Sequence, residues 1–471
     1  MKKTSKILTI VAILLTSISF FVSAQQKKTS IIKGKMGTIE KMVFNLYEID
    51  NGEMKQLASS PTNNGYFGFA FTPEKEGYYV IAQNDRTRTY RYIFYLKPGD
   101  ALSFEIEKDN FKLTGNNNTE ENKAIEAWHN FVYPAESKAI YHFYYKDNTF
   151  KEFFPMFENM LTRAKALPKT QTGNPKFNAS FEDFKKYNLT EIGIAYPRVF
   201  KHINPRKNDY SNFYKSINIA DLTQKASILN YPNALEFIKE YYIAGIYTNP
   251  DISEDKLGDY IINAEKTLIE KSLITNDTVR GEMVINGCKT IKTYLGIKLY
   301  EQTYRKYLAT YEQKKRLDAI MAKYNKEPQY TEAINFRFED VNGKQVALSD
   351  FKGKVVYVDV WATWCGPCNR EIPYMVKLEE SYHNNPNIVF MSVSIDSRKD
   401  YDKWKNMLKE KGMCGIQLFA GEREAEITKS YAITGIPRFM LFGKDGKAIY
   451  TDAPYPSSFE IKAVIDEALK K

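Results

Sequence analysis

The sequence predicts a multidomain protein with an N-terminal all-β sandwich or barrel, a central α-helical region and a C-terminal α/β domain. Three observations predict this fold class. Short apolar segments with alternating polar residues fill residues 27–115, whereas residues 119–326 carry apolar residues at spacings of three and four. From residue 332 to residue 471, strand-like and helix-like segments alternate. A length of 471 residues suits about three domains of ~150 residues each.

Residues 1–24 have the pattern of a secretory signal peptide. Lys2, Lys3 and Lys6 form a basic start, and residues 7–22 form an apolar stretch that ends in small residues before Gln25. The apolar stretch is shorter than the ~20 residues that a membrane-spanning helix needs. No cysteine stands at the cleavage position to carry a lipid. We therefore expect a mature protein that is exported to the periplasm and is not an integral membrane protein.

The segment 27–115 contains about seven short strand-like runs separated by turns. The turn at residues 50–52 reads Asp-Asn-Gly, and the turn at 98–100 reads Pro-Gly-Asp. This spacing is typical of a small sandwich or barrel. No catalytic constellation lies in the segment, and both an interaction module and a packing domain are consistent with it.

A Gly-Asn run at residues 115–118 marks the start of the helical region, 119–326. Predicted helical segments include residues 124–131, 150–167, 234–246 and 290–324, with Pro and Asn clusters between them. His129 and His202 lie among aromatic residues and are interpreted as packing residues. The region could present substrate, support a dimer or space the C-terminal domain, and the sequence does not choose between these roles.

The pentad Trp364-Cys365-Gly366-Pro367-Cys368 carries the chemistry of this chain. It follows an apolar run, residues 355–361, that predicts a buried strand, and it precedes a predicted helix. Two thiols at this spacing can close a disulfide at a helix N-terminus, where the helix dipole and free N–H groups favour a thiolate. Zinc sites use the same spacing but need a second pair of ligands. Cys288 and Cys414 are isolated and the four histidines form no cluster, so the pentad indicates a redox site.

The segment from Val358 to Cys368 resembles the thioredoxin superfamily. The sequence Ile-Thr-Gly-Ile-Pro at 433–437 resembles the cis-proline loop of that superfamily. Leu-Ser-Asp-Phe-Lys-Gly-Lys at 348–354 and Glu-Ile-Pro at 371–373 resemble its TlpA-like branch, which contains membrane-tethered or periplasmic thiol-disulfide oxidoreductases. The resemblance spans residues 332–471 and implies a thioredoxin fold there. The pattern ending at residues 98–100 loosely resembles the N-terminal β domain of exported Bacteroidetes proteins.

The chemistry at the pentad assigns a role to each cysteine, and the resemblance adds three further catalytic residues. Cys365, at the exposed end of the pair, is the expected nucleophile, with a thiol pKa below the free value of ~8.5. Cys368, more buried and one turn into the helix, would resolve the mixed disulfide. The resemblance implies that Asp359 is a buried proton acceptor and that Pro437 is cis and faces the disulfide. It also implies an active-site role for Glu371, for which a solvated carboxylate on the helix face is the alternative.

Four residues around the pair are expected to contact substrate: Trp364, Gly366, Pro367 and Ile436. Pro367 shapes the start of the helix, and the backbone of Ile436 can pair with an extended substrate as an added strand. Packing beside the site is the alternative role for Trp364. Arg438 replaces the threonine that usually follows the cis-proline, and it adds a positive charge near the thiolate.

The composition and the Gly366-Pro367 dipeptide indicate which binding partners to expect. The formal net charge is +10, from 67 basic and 57 acidic side chains without a dense basic block, so nucleic-acid binding is not indicated. No cofactor or metal is expected beyond the redox-active disulfide Cys365–Cys368. Thioredoxin, which has the same dipeptide, lies near −270 mV, against about −120 mV for the oxidant DsbA. The expected partners are therefore disulfide-containing periplasmic proteins, which the pair would reduce or isomerise, and a membrane electron donor of the DsbD or CcdA type.

Two other functions remain open from the sequence. A thioredoxin-fold peroxidase would have threonine three residues before its reactive cysteine, where this chain has Ala362, with Thr363 one position away. A non-enzymatic ligand-binding protein would use the aromatic-rich first two-thirds of the chain, which contributes to a total of 34 tyrosines. Cys288 and Cys414 are predicted to be small apolar core residues.

Overall fold

Residues 30–113 fold into a β-sandwich of two four-stranded sheets. The computed structural model describes residues 28–37, 41–141, 148–198, 204–249, 251–253, 256–324 and 330–471. The predicted signal peptide and His202 lie outside these residues. One sheet has the order β4-β1-β7-β8 and the other β3-β2-β5-β6. The strands are β1 (Ser30–Met36), β2 (Val43–Asp50), β3 (Glu53–Pro61), β4 (Tyr66–Phe71), β5 (Gly77–Ala82), β6 (Arg91–Leu96), β7 (Ala101–Glu107) and β8 (Asn110–Leu113).

The alternation of buried and exposed residues produces this sandwich and confirms the predicted fold class. Along β1, every second residue is buried, and β7 shows the same alternation from Leu102 to Ile106. Aromatic rings fill the space between the sheets: Phe67 stacks on Phe44 at 4.3 Å, and Phe94 lies 4.8 Å from Phe104. Strands β3 and β8 were not predicted, because β3 is a mostly polar edge strand and β8 has only four residues.

The central region is helical, as predicted. Its helices begin at well-formed caps: Asn174 accepts from the N–H of Phe177, and Thr310 forms a capping box with Gln313. The predicted helix over 290–324 is instead two helices, broken at residues 305–310. The described helices are α1 (Glu120–Glu136), α2 (Phe150–Ala166), α3 (Pro175–Ala195), α4 (Asn212–Lys215), α5 (Ile219–Leu222), α6 (Ala234–Thr248), α7 (Leu257–Ile262), α8 (Ala264–Glu270), α9 (Asp277–Gly287), α10 (Tyr294–Tyr304) and α11 (Tyr311–Lys323).

The sandwich and the helical region share one hydrophobic core. This core runs without interruption from strand β1 to helix α11. At the junction, Tyr78 stacks on Phe184 at 5.0 Å, and Tyr95 packs edge-on against Phe177 at 4.9 Å. The Asn122 side chain completes the edge of β6 by pairing with both the N–H and the C=O of Tyr95. His129 packs on Phe111 and lies within hydrogen-bonding distance of Asn110.

The C-terminal domain is an eight-stranded sheet with helices on both faces. The strand order is β11-β10-β14-β13-β12-β15-β16-β9, and β12, β13 and β14 run parallel. The strands are β9 (Thr331–Glu332), β10 (Arg337–Asp340), β11 (Gln345–Ala347), β12 (Val355–Trp361), β13 (Ile388–Ser394), β14 (Ile416–Phe419), β15 (Arg438–Phe442) and β16 (Lys447–Tyr450). The helices are α12 (Gly366–Ser381), α13 (Tyr401–Glu410), α14 (Ala425–Thr428) and α15 (Ile461–Lys470).

Strand β12 lies at the centre of this sheet, between β13 and β15. All seven of its residues are buried, which explains the continuous apolar run in the sequence. Val356, Val358 and Val360 face one hydrophobic core, and Val355 and Tyr357 face another. The strand therefore delivers its C-terminal end, and the cysteine pair after it, to a fixed edge of the sheet.

Among the described residues, no helix is both long enough and apolar enough to cross a membrane.

Candidate active site

The first turn of helix α12 positions the two cysteines. Cys365 is the N-cap residue, with an extended backbone, and Pro367 lies at the start of the helix, where no backbone donor is needed. The N–H of Cys368 donates to the Cys365 sulfur at 3.1 Å. The Cys365 sulfur thus occupies the position of a capping acceptor, where the helix dipole stabilises negative charge.

Cys365 and Cys368 form a disulfide, with their Cα atoms 5.2 Å apart. Cys365 is 4% exposed and Cys368 is 2% exposed. The expected contrast between an exposed and a buried cysteine is therefore small in this oxidised state, because both belong to one buried cluster with Trp361, Ile372 and Trp404. The neighbouring Trp364, by contrast, is 62% exposed, so packing does not account for it.

The loop before strand β15 faces the disulfide. The Ile436–Pro437 peptide bond is cis, as the resemblance implied. The carbonyl oxygen of Ile436 lies 3.7 Å from the Cys365 sulfur. The backbone of Ile436 and the exposed ring of Trp364 thus flank the nucleophilic end of the pair.

Asp359 is a buried acid on the strand that leads to the pentad. Its side chain points to the same face of β12 as Tyr357 and Trp361, the face that helix α12 covers. Burial, and then the charge of Glu371, raise the pKa of Asp359 to about 8. One carboxyl oxygen of Asp359 has no hydrogen-bond partner among the described residues. A carboxyl of this kind can exchange a proton near neutral pH.

Glu371 is buried, which contradicts the alternative of a solvated carboxylate on the helix face. It is 9% exposed. Its two oxygens accept the N–H of Ser457 at 3.1 Å and the hydroxyl of Ser457 at 2.8 Å. Burial raises the pKa of Glu371, and the hydrogen bonds from Ser457 oppose that rise.

Asp396 is a buried carboxylate that the sequence analysis missed. It accepts the backbone N–H of Thr363 at 2.9 Å, the Thr363 hydroxyl at 2.8 Å and the Ser394 hydroxyl at 2.7 Å. These bonds hold the segment just before Cys365 against the end of strand β13. The Ser-Ile-Asp sequence at the end of an apolar strand was the available signal. The Thr363 hydroxyl is therefore engaged by Asp396.

The two remaining cysteines are free thiols in different environments. Cys288 is buried, as predicted, and its thiol donates to the Val284 carbonyl at 3.4 Å. The prediction for Cys414 was wrong, because this residue is exposed. It lies in a turn between Gly412 and Gly415, both of which have positive φ angles of 63° and 64°. Within the described ranges, no group of three or more His, Cys, Asp or Glu side chains could hold a metal ion.

Comparison with known proteins identifies the family. The Redoxin family model matches residues 329–466. The thiol-disulfide oxidoreductase ResA of Bacillus thuringiensis subsp. konkukian is 34% identical over 140 residues, which are 30% of this chain and 76% of that protein. The chain belongs to the ResA-like thiol-disulfide oxidoreductases. ResA of Bacillus subtilis is 30% identical over 119 residues, 25% of this chain and 64% of that protein.

Two solved structures are also similar to this ResA-like chain. A putative thiol-disulfide oxidoreductase from Bacteroides vulgatus has 40% identity and covers 29% of this chain and 94% of its own, with a TM-score of 0.26. The thioredoxin domain of another thiol-disulfide oxidoreductase from the same organism has 26% identity and covers 30% of this chain and 96% of its own, with a TM-score of 0.27.

The ResA-like family membership confirms the predicted thioredoxin-superfamily resemblance and the enzyme class, thiol-disulfide oxidoreductase. The family model does not extend to the sandwich and the helical region, which lie before residue 329. Arg438 has an acidic neighbour that the sequence did not indicate. Its guanidinium lies 3.8 Å from Asp452 and donates to the Thr451 carbonyl at 3.3 Å.

Proposed function

We propose that this protein is an exported reductase or isomerase of protein disulfides, acting through the Cys365–Cys368 pair. The observation that carries the proposal is the placement of both cysteines at the N-terminus of α12, beside the cis-Pro437 loop. Helix α12 covers the face of β12 that carries the buried Asp359. A thiolate is stabilised at that helix end, and a proton acceptor lies under the helix that carries the second thiol.

In the proposed reaction, the Cys365 thiolate attacks one sulfur of a substrate disulfide, and the other substrate sulfur leaves as a thiolate. Cys368 then loses its proton to the ionised form of Asp359, which is the minor form at neutral pH, and attacks the Cys365 sulfur. The second substrate thiolate leaves, so the substrate gains two electrons and the pair becomes the disulfide. An extended substrate segment would pair with the backbone of Ile436 and cross the exposed ring of Trp364.

The proposal also covers the direction of disulfide exchange and the cellular compartment. The Gly-Pro dipeptide between the cysteines favours the reducing end of the range, and a reductase in an oxidising compartment needs electrons from a membrane donor of the DsbD or CcdA type. The signal-like residues 1–24 support export to the periplasm. Periplasmic proteins with disulfides are the proposed substrates.

The reduction potential of the purified mature chain tests the direction. We expect a value near −270 mV by equilibration with a thiol–disulfide buffer, whereas a value near −120 mV would make the protein a disulfide donor. Insulin reduction by dithiothreitol should be accelerated by the wild type and by the Cys414→Ser control. It should not be accelerated by the Cys365→Ser/Cys368→Ser variant. Equal activity in all three proteins would refute the enzymatic use of the pair.

A fractionation experiment tests the location. A tagged full-length chain expressed in a Gram-negative host should be recovered from the periplasm, with its N-terminus at Gln25. Recovery of the uncut chain from the cytoplasm would contradict the proposed export.

A further inference from the structure

The loop of residues 451–460 connects strand β16 to helix α15. Its first half is bound to the eight-stranded sheet of the C-terminal domain, here called the redox sheet. The N–H of Ala453 donates to the Phe439 carbonyl at 2.7 Å, and the hydroxyl of Tyr357 donates to the Pro454 carbonyl at 2.6 Å. The ring of Tyr455 packs on Phe439 at 5.3 Å. Tyr357 and Phe439 belong to the two strands next to the site, so this half of the loop has a defined position relative to the cysteines.

Ser457, in the middle of the loop, holds the carboxylate of Glu371 by two bonds, one to each oxygen. Glu371 lies one helical turn after Cys368, and its charge raises the pKa of Asp359. The orientation of Glu371 therefore affects the proton acceptor of the site. The other titratable or charged groups that act on Glu371 or respond to its charge are Asp359, Arg370, Tyr357, Tyr374 and Tyr455.

The far end of the loop is bound to the helical region. The buried carboxylate of Glu460 accepts the N–H of Lys292 at 2.8 Å, the N–H of Thr293 at 3.2 Å and the Thr293 hydroxyl. These groups stand at the start of helix α10. Gly296 lies opposite the same carboxylate, and a Cβ at that position would overlap it. Phe459 adds ring contacts to Tyr300 and Tyr304.

A second contact joins Lys292 to the loop. Its ammonium group lies 2.7 Å from the Asp452 carboxylate and 4.5 Å from the centre of the Tyr455 ring. The loop is thus bound on one side to the redox sheet and on the other to helix α10. Ser457 lies between the two attachments, three residues before Glu460.

We infer that Ser457 is a positioning residue for Glu371, and that the helical region sets its position by docking on loop 451–460. The inference rests on the proposed function, because the orientation of Glu371 affects activity only if the cysteine pair exchanges disulfides. The helical region then contributes to the redox chemistry by holding Ser457, and through it Glu371, near the proton acceptor Asp359.

The titration of Glu371 in the oxidised full chain tests the inference without reference to activity. Carboxyl resonances in carbon-13 NMR, assigned with Glu371→Gln, give its midpoint. Ser457→Ala should move the midpoint to higher pH, because a hydrogen bond to the charged form is lost. Ser457→Thr, which keeps the hydroxyl, should restore it. Ser458→Ala is the matched control, since the Ser458 hydroxyl has no partner among the described residues.

The same variants are then compared in the pH–rate profile of disulfide reduction. In Ser457→Ala, Glu371 stays neutral to higher pH and raises the pKa of Asp359 less, so the acidic limb should move to lower pH. Rates on that limb should be about two- to tenfold higher, the equivalent of one neutral hydrogen bond. The plateau at high pH should stay near the wild-type value. A Glu371 midpoint that does not move in Ser457→Ala would overturn the positioning role.

Glu460→Gln tests the contribution of the helical region, because an amide cannot accept all the donors at the start of α10. The Glu371 midpoint should again rise. If it moves in Ser457→Ala but not in Glu460→Gln, the inferred role of the helical region is wrong. If the midpoints move as expected while the wild type reduces no disulfide, the positioning role is supported and the proposed function fails instead.

Discussion

The carboxylate of Asp396 accepts both the backbone N–H and the side-chain hydroxyl of Thr363, and both residues are buried. Thr363 lies two residues before Cys365, and Asp396 lies two residues beyond strand β13. This contact joins the active-site segment to the neighbouring strand. Asp396 therefore helps to fix the segment that leads to the nucleophile.

Replacing Asp396 with alanine should loosen the active-site segment. The change leaves the N–H and the hydroxyl of Thr363 buried without an acceptor, at a cost of about 2–3 kcal/mol. Hydrogen exchange followed by mass spectrometry should show faster exchange in residues 362–368. Ser397→Ala, which removes an exposed hydroxyl that donates to Asp400, is the control and should leave the exchange unchanged. Unchanged exchange in Asp396→Ala would show that the contact is dispensable.

Single cysteine variants should separate the two sulfur roles. Cys368→Ser keeps the thiol at the N-cap and should accumulate a mixed disulfide with oxidised glutathione, detected as a mass increase. Cys365→Ser should react at least about tenfold more slowly, because Cys368 lies within the helix, whereas the Cys365 sulfur lies at the N-cap, where a thiolate is stabilised. Equal reaction rates would contradict the assignment of Cys365 as the nucleophile.

Asp359 should give the folded protein a stability that falls as pH rises. Its pKa is about 8 in the folded state, well above the ordinary value of 3.8. The folded state therefore binds more protons than the unfolded state between about pH 4 and pH 8, and stability decreases across that interval. Asp359→Asn should flatten this dependence, so its gain in stability over the wild type should grow towards pH 8.

Urea unfolding of the oxidised proteins at several pH values measures this effect. The same variant should slow the release of reduced substrate, because Cys368 loses its proton acceptor. A wild-type stability that does not change between pH 5 and pH 8 would contradict a neutral buried Asp359.

Glu191 should be essential for the junction of the sandwich and the helical region. Helix α3 carries Glu191, which pairs with Arg91 at 2.5 Å and Arg88 at 2.9 Å, both from the sandwich. Glu191→Ala leaves the buried Arg91 without this carboxylate, while Arg88 keeps its pair with Glu240, and should cost about 3–5 kcal/mol in urea unfolding. Glu236→Ala removes an exposed carboxylate next to Lys239 and should change stability by less than about 0.5 kcal/mol.

The pH dependence of this ion pair has the opposite sign to that of Asp359. Burial raises the pKa of Glu191, but Arg91 and Arg88 outweigh burial and lower it to about 2. The stabilisation is present above about pH 4.5 and is lost as pH falls towards 2. The wild type should therefore lose stability in acid more steeply than Glu191→Ala. Parallel acid-unfolding curves would contradict this.

The free thiols should differ sharply in alkylation. Iodoacetamide at pH 8 should modify Cys414 in the folded, oxidised protein, because that residue is exposed. Cys288 should react only after unfolding, since burial, with the charge of Glu265, raises its pKa to about 12. Peptide mass mapping distinguishes the two sites. Modification of Cys288 under native conditions would indicate that the core around it opens.

The parts of the fold that sequence predicted are those encoded locally. Strand β12 follows from a continuous apolar run, because a parallel strand buried on both faces needs one. The start of α12 follows from Cys365-Gly366-Pro367, since proline is suited to the first turn of a helix. The cis form of Pro437 followed from the family resemblance, not from local patterning.

The missed contacts depend on how distant segments meet. Asp396 reaches Thr363 because β13 pairs with β12 in a register that sets Ser394 opposite Trp361. Ser457 reaches Glu371 across 86 residues, through a loop that is bound both to the redox sheet and to the start of helix α10. No hydrophobic periodicity in the sequence indicates how such distant segments meet. Cys414 is different, because the glycines on both sides of it were a turn signal in the sequence itself.

The shared core of the sandwich and the helical region determines which pieces of this chain can exist separately. A sandwich made without the helices would expose the rings of Tyr78 and Tyr95, together with the unpaired charges of Arg88 and Arg91. These two regions must therefore be inherited together. The redox domain has buried cores of its own, so shuffling of whole modules during evolution would disturb its contacts with helix α10 but would not divide a core.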